Sequence, residues 1–154
     1  MLDPDHWQDS LRATYQQARA AYRRHPRAVL VSLDEKVSDL GVDVRRIDLA
    51  ERMLQFGVDI GLTLEQAMAV RGSFLIDVFG FSLLVDHAWD RAPESVRPML
   101  AHPVPQIWLD AHPDHPAPLS RRAAEQVGPT NDEQFDAMVE LRIRAVEALL
   151  GVSS

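Results

Sequence analysis

The stretch TLEQAMAVRGSFLIDVFGFSLLVDHA (residues 63–88) decides the fold, because it is rich in helix formers and apolar around most of a helical circumference. Thr63 followed by Gln66 is a capping box, which predicts where this helix begins. The helix nevertheless contains Arg71 and Asp77. Since a surface helix needs only one apolar stripe, this one must be covered on more than one side.

A helical wheel divides the apolar residues of this helix into two faces. One face consists of Ala67, Val70, Phe74, Val78, Phe81 and Val85. The other consists of Met68, Gly72, Leu75, Phe79 and Leu83. Two faces require two packing partners, so either the chain wraps the helix itself or a second subunit covers part of it.

Composition indicates one all-α domain and excludes several functions. The 154 residues, which we treat as a single domain over 1–154, are rich in helix-forming Ala, Leu, Arg, Glu and Gln. A net charge of −7 disfavours direct binding to nucleic-acid phosphates or an anionic membrane. The absence of cysteine excludes a disulfide framework and a thiol nucleophile. The polar N-terminus is no signal peptide, and we expect a cytoplasmic protein.

The remaining helices follow from caps and periodicity. A first helix begins at Asp3-Pro4 and ends at the RRHP sequence of residues 23–26. Further helices are predicted over 26–41 and about 43–59, and a last one runs from Thr130, capped with Glu133, to about 150. Most of the ten prolines lie between 89 and 129, which predicts a proline-rich crossover with short helices near 93–101 and 118–127.

The last helix also has excess apolar surface, with Arg142 inside its apolar arc. Two such helices from each of two subunits would form a four-helix bundle at a homodimer interface, here the helices at about 63–88 and 131–150. A pair between Asp77 and Arg142, within or across subunits, is a hypothesis that would balance both lone charges. The predicted interface residues are Phe74, Asp77, Val78, Phe81, Val85, Met138, Arg142 and Val146.

Three segments resemble the C-terminal domain of tetracycline-repressor (TetR) family regulators. They are HWQDSLRATYQQARAAYRRHPRAV (6–29), LQFGVDIGLTLEQAMAVRGSFLIDVFG (54–80) and NDEQFDAMVELRIRAVEALL (131–150). The second segment contains the turn that runs from Gly61 to Leu64, with Ala67 three residues further on. The order and spacing of the segments together are more specific than any segment alone, and the resemblance covers about residues 3–150.

This resemblance implies a small-molecule-sensing and dimerisation domain of a transcriptional repressor. In the family the long helix and the closing helix form the dimer bundle, and the long helix also lines a ligand cavity. Family members begin with a helix-turn-helix domain, and none precedes Asp3 here. The resemblance therefore implies either a domain cut from a longer regulator or a free-standing sensor, without direct nucleic-acid contact by this chain.

The tetracycline pocket of the family is not preserved. Thr14, Ala18 and Ser32 stand where the drug-binding Asn, an aromatic residue and the magnesium-linked His would be, so we predict no tetracycline, metal or other cofactor. A small apolar or amphipathic ligand is expected instead, because methionine-lined pockets adapt to such molecules. The predicted ligand-binding residues are Thr14, Ala18, Ser32, Met53, Met68, Arg71 and Leu75.

Two other interpretations remain open. The chain could be a stand-alone helical binding or dimerisation protein without a DNA role. A metal protein or enzyme could use His102, His112 and His115 with neighbouring aspartates. A proline-broken loop does not fix ligand geometry well, and no catalytic motif accompanies it, so we expect a solvated loop and no enzyme.

Overall fold

The computed structural model of the protein describes residues 2–25 and 44–151. These residues form helices and no strand, which confirms the all-α prediction. The helices are α1 (Trp7–Arg24), preceded by a 3-10 turn (Pro4–His6), α2 (Val44–Asp59), α3 (Leu64–Arg91), α4 (Arg97–Leu100), α5 (Gln106–Ala111), α6 (Pro118–Ala124) and α7 (Asn131–Leu149). The helix predicted over 26–41 lies outside the described residues.

Both predicted capping boxes are confirmed. The Thr63 hydroxyl accepts from the backbone N–H of Gln66 at 3.2 Å, and the Gln66 side chain accepts from the Thr63 N–H at 2.9 Å. Thr130 and Glu133 make the equivalent pair of bonds at the start of α7. Each box supplies partners to backbone N–H groups that have none within the helix, so it fixes the first residue of α3 and of α7.

A tight corner packs α2 against α3. Gly61 has a φ of 105°, a left-handed conformation that favours glycine, and it turns the chain after α2. A Cβ at Gly57 would lie only 2.7 Å from the Cβ of Ala67. The backbone of α2 therefore approaches the first turns of α3 more closely than a side chain at position 57 would permit.

The core lies where α1, α3 and α7 meet. Tyr15 contacts Phe74 edge-on with ring centroids 4.8 Å apart, and Phe81 contacts Phe135 in the same way at 5.0 Å. Val78 is 1% exposed between these pairs. One apolar face of α3 is thus covered by the first and last helices of the same chain.

The structure places most of the predicted interface residues in or beside this core. Phe74, Val78, Phe81 and Val146 are buried within the single chain, which leaves them little surface for contact with a second subunit. Val85 and Met138 are partly buried against the same core. The helical wheel assigned the aromatic-rich face of α3 to a second subunit because it does not show that Tyr15 and Phe135 already cover that face.

Two bidentate ion pairs join α3 to α1 and α7, and a longer contact of 3.6 Å links Asp90 of α3 to Arg23 of α1. The Arg142 guanidinium donates to both oxygens of Asp77 at 2.8 Å, and the Tyr15 hydroxyl donates to the same carboxylate at 2.9 Å. The hypothesis of an Asp77–Arg142 pair is confirmed, within one chain. The pair lies at the edge of the core, where the Arg142 side chain remains 33% exposed.

The second ion pair was not predicted and is buried. Arg19 donates from Nε and Nη2 to Asp86, both at 2.8 Å, and its guanidinium lies 5.0 Å and 4.6 Å from the ring centroids of Phe81 and Phe135. Burial lowers the pKa of Arg19, but the hydrogen bonds and charge of Asp86 outweigh that effect and hold the pKa above its ordinary value. Asp86 ends a π-helical segment, Ser82–Asp86, inside α3.

The crossover between α3 and α7 contains one helix that was not expected. Two short helices were predicted in this segment, and α4 and α6 lie within those ranges. The additional helix α5 begins directly after Pro105, which stands at its N-cap. Proline is compatible with a helix start, so reading the prolines mainly as helix breakers missed it.

Within the described residues, Leu64–Arg91 is long and apolar enough to cross a membrane by length and composition alone. Core helices of soluble proteins pass the same test. Here one side of the helix packs in the core, and Asp77 and Asp86 on it are ion-paired with other helices.

Replacing Asp86 with Asn should destabilise the protein by about 3 kcal/mol, because the buried Arg19 charge loses its bidentate partner and keeps only the exposed Asp132 carboxylate, 2.9 Å from its Nη1. The measurement is the free energy of unfolding from urea titration. Asp9→Asn is the control, since Asp9 pairs with Arg12 at the surface and its loss should cost under about 1 kcal/mol. Equal costs for the two variants would show that the Arg19–Asp86 pair does not hold α1 against α3.

Candidate functional site

A cavity of about 780 Å³ lies between α1, α2 and α3. Its size is that of pockets that hold drug-sized molecules. Most of the wall is apolar, and the main contributors are Ala18 and Tyr22 from α1, Met53 and Phe56 from α2, and Leu75 and Phe79 from α3. From α3 the wall also includes Phe74 and Val78, so it extends from the edge of the core to Leu75 and Phe79.

Five of the predicted ligand-binding residues line this cavity: Thr14, Ala18, Met53, Arg71 and Leu75. That they bind a ligand remains a prediction. Met68 is 58% exposed and does not line this cavity, so the structure does not bring it together with the other five. Ser32 lies outside the described residues.

Aromatic residues of the wall were missed, although the sequence contains a signal for each. Tyr22 follows Thr14 and Ala18 at four-residue spacing, Phe79 follows Leu75 by four, and Phe56 follows Met53 by three. Residues at these spacings share a helix face. The rings of Tyr22 and Phe79 are 4.8 Å apart, so they form one side of the cavity together.

The polar groups of the cavity wall differ in whether they have hydrogen-bond partners. The Thr14 hydroxyl donates to the carbonyl of Ser10 at 2.7 Å, and Gln55 donates to Asp59 at 2.7 Å. The Nε of Arg71 is covered from solvent and has no hydrogen-bond partner among the described residues. A covered N–H without an acceptor costs free energy, so this donor is available to a bound molecule.

Burial at the cavity raises the pKa of the Tyr22 phenol. Burial, followed by the charge of Asp77, raises the pKa of Tyr15 behind the wall. Both shifts favour the neutral phenol.

A third side of α3 is bare. Every fourth residue faces outward along a row that we call the outer stripe, which consists of Met68, Gly72, Ile76, Gly80 and Leu84. Ile76 is 73% exposed and Leu84 is 78% exposed, and a Cβ at either glycine would meet nothing within 4 Å. On α7, Leu141 is 67% exposed. An exposed apolar surface of this extent on two neighbouring helices is typical of a protein interface.

The segment that contains His112 and His115 is held by hydrogen bonds from Arg121 to backbone carbonyl oxygens. Arg121 donates to the carbonyl oxygens of Leu109, His112 and Pro113 at 3.3, 2.8 and 3.1 Å. Over residues 2–25 and 44–151, no group of three potential metal-ligating side chains converges.

The comparisons with known proteins agree with this architecture. The family model for the tetracyclin repressor-like C-terminal domain matches residues 2–148. No curated protein and no solved structure matches the chain.

Both tyrosines should ionise in the folded protein only above about pH 10, the pKa of an unperturbed phenol. The stability that comes from their neutral form is complete below that pH and is lost as the pH rises through the folded-state pKa values. Phenolate absorbance against pH, with and without urea, measures this, and Tyr15→Phe separates the two residues. Superimposable native and denatured curves would contradict the prediction.

Proposed function

Because the chain belongs to the tetracyclin repressor-like C-terminal domain family, whose members are parts of transcription regulators, we propose that it senses a small molecule and forms a homodimer within a cytoplasmic repressor. One observation carries the proposal. A single helix, α3, has a large cavity on one side and the bare outer stripe on another. Ligand and partner subunit would thus contact the same element.

The outer stripe supports the dimer half of the proposal. Its two glycines let the backbone of a second helix approach closely, and Met68, Ile76 and Leu84 supply the apolar area. Leu141, 67% exposed on α7, would add apolar area from the second helix. A self-complementary contact between two copies would then form a bundle of two α3 and two α7 helices. This replaces the interface predicted from the sequence.

The cavity supports the sensing half. Its walls come from three helices, so a ligand that fits one arrangement of α1 and α2 better than another shifts the population toward that arrangement. The size of the shift is limited by the difference in ligand affinity between the two states. In a full-length regulator such a shift would change the spacing of two attached DNA-binding domains.

Replacing Ile76 or Leu141 with Glu should weaken the homodimer at least about 30-fold, as expected for loss of an interface residue worth about 2 kcal/mol with a charge in its place. Sedimentation velocity distinguishes a mass near 17.3 kDa from twice that value. Leu119→Glu is the matched control, since Leu119 is equally exposed in the crossover helix α6. A wild-type monomer, or a dimer unaffected by both interface variants, would refute the proposed interface.

Native mass spectrometry of freshly purified protein should detect extra mass carried by the wild-type protein and absent after Ala18→Trp. The indole at position 18 would fill the cavity from the α1 wall. Ala111→Trp is the control, because Ala111 is exposed at the end of α5, which does not line the cavity. Retention of the same adduct in Ala18→Trp would place the bound molecule elsewhere.

A further inference from the structure

Arg71 is an arginine in the cavity wall whose charge has no partner. Its Nε is covered from solvent, and in the described part of the chain its guanidinium has no hydrogen bond or ion pair. A guanidinium stays protonated in proteins and offers five N–H donors in a planar fork. Covering the Nε donor without an acceptor is unfavourable, so Arg71 is suited to a hydrogen-bond acceptor in the cavity.

Neither the carboxylate on the same helix nor the one in the cavity wall pairs with Arg71. Both oxygens of Asp77, on the same helix, bond to Arg142, and one of them also accepts from Tyr15. Asp59, at the end of α2, accepts from Gln55. By contrast, Arg19 and Arg142 each donate two hydrogen bonds to one carboxylate, which balances their charge. Arg71 has no such carboxylate among the described residues.

The charges of the wall have a clear sign. Its charged side chains are Arg52, Arg71 and Asp59. The Arg52 Nε donates to the carbonyl of Asp48, which satisfies that donor but leaves the positive charge unbalanced. Two of the three charged side chains are therefore guanidinium groups, from which an anion would gain charge-assisted hydrogen bonds.

We propose that the cavity binds an amphipathic organic anion. The oxygen-bearing head group accepts hydrogen bonds from the Arg71 guanidinium, and the apolar body packs against Phe56, Leu75 and Phe79. This inference rests on the proposed function, because it assumes that the cavity is the ligand site. It adds the charge of the ligand and the residue that selects it.

The test uses two fluorescent dyes with nearly the same aromatic body. Anilinonaphthalenesulfonate has a sulfonate group, and N-phenylnaphthylamine is neutral. Both become fluorescent on entering an apolar site, so titration gives a dissociation constant for each. The full chain is compared with Arg71→Met, with Arg71→Lys and with Arg144→Met, an exposed arginine on α7 that matches the change in net charge.

Arg71→Met should weaken binding of the anionic dye about tenfold or more, while binding of the neutral dye changes less than about threefold. Arg71→Lys should give a smaller loss, because lysine keeps the charge without the fork. Arg144→Met should leave both dyes unchanged. The unliganded Arg71→Met protein should be at least as stable as the wild type, since it loses a covered charge without a partner.

Ala18→Trp separates this inference from the proposed function. If filling the cavity abolishes binding of both dyes but Arg71→Met leaves their affinity ratio unchanged, the cavity binds ligands and the role of Arg71 is refuted. If Ala18→Trp affects neither dye, the cavity is not the site and the proposed function fails with it. Unfolding of Arg71→Met would also overturn the inference, since Arg71 would then be a structural residue.

Discussion

The structure depends on one constraint, which is that α3 has more apolar surface than the other described helices cover. Helices α1 and α7 bury the side that contains Phe74, Val78 and Phe81. The side that contains Leu75 and Phe79 faces the cavity, and the outer stripe faces solvent. Uncovered apolar surface is unfavourable in water, so each remaining side is suited to an occupant of its own. A ligand and a second subunit are the occupants that the proposed function assigns.

Helix α1 connects these sides because it contributes to two of them at once. Thr14, Ala18 and Tyr22 form cavity wall, while Tyr15 and Arg19 bind the carboxylates of α3. A ligand that displaces the wall must therefore either strain the two carboxylate contacts or move α3 together with α1. Buried ion pairs have a narrow geometric tolerance, so movement of the helices as a unit is the less costly response. This is a physical route by which occupancy of the cavity could reach the outer stripe.

Local features such as helix caps were predictable from the sequence, whereas most contacts between residues far apart in the chain were not. The capping residues Thr63 and Thr130 fix helix starts through neighbours three residues away, so the sequence alone locates them. A helical wheel finds the apolar sides of α3 but not their occupants, which is why Met68 was assigned to the cavity. The Asp77–Arg142 pair was foreseeable because each charge is isolated on an apolar helix. Arg19 gave no such signal, and its partner Asp86 lies 67 residues away.

The π segment explains why Asp86 reaches Arg19 at all. Counted at about 100° per residue, Asp86 in an uninterrupted α-helix would lie about 80° from Val78 and would point away from the centre of the core. A π turn accommodates an additional residue, which rotates the next part of the helix back by about 100°. Asp86 then lies within about 20° of Val78, on the buried side. One irregularity in α3 thus brings Asp86 to Arg19 and closes the buried ion pair.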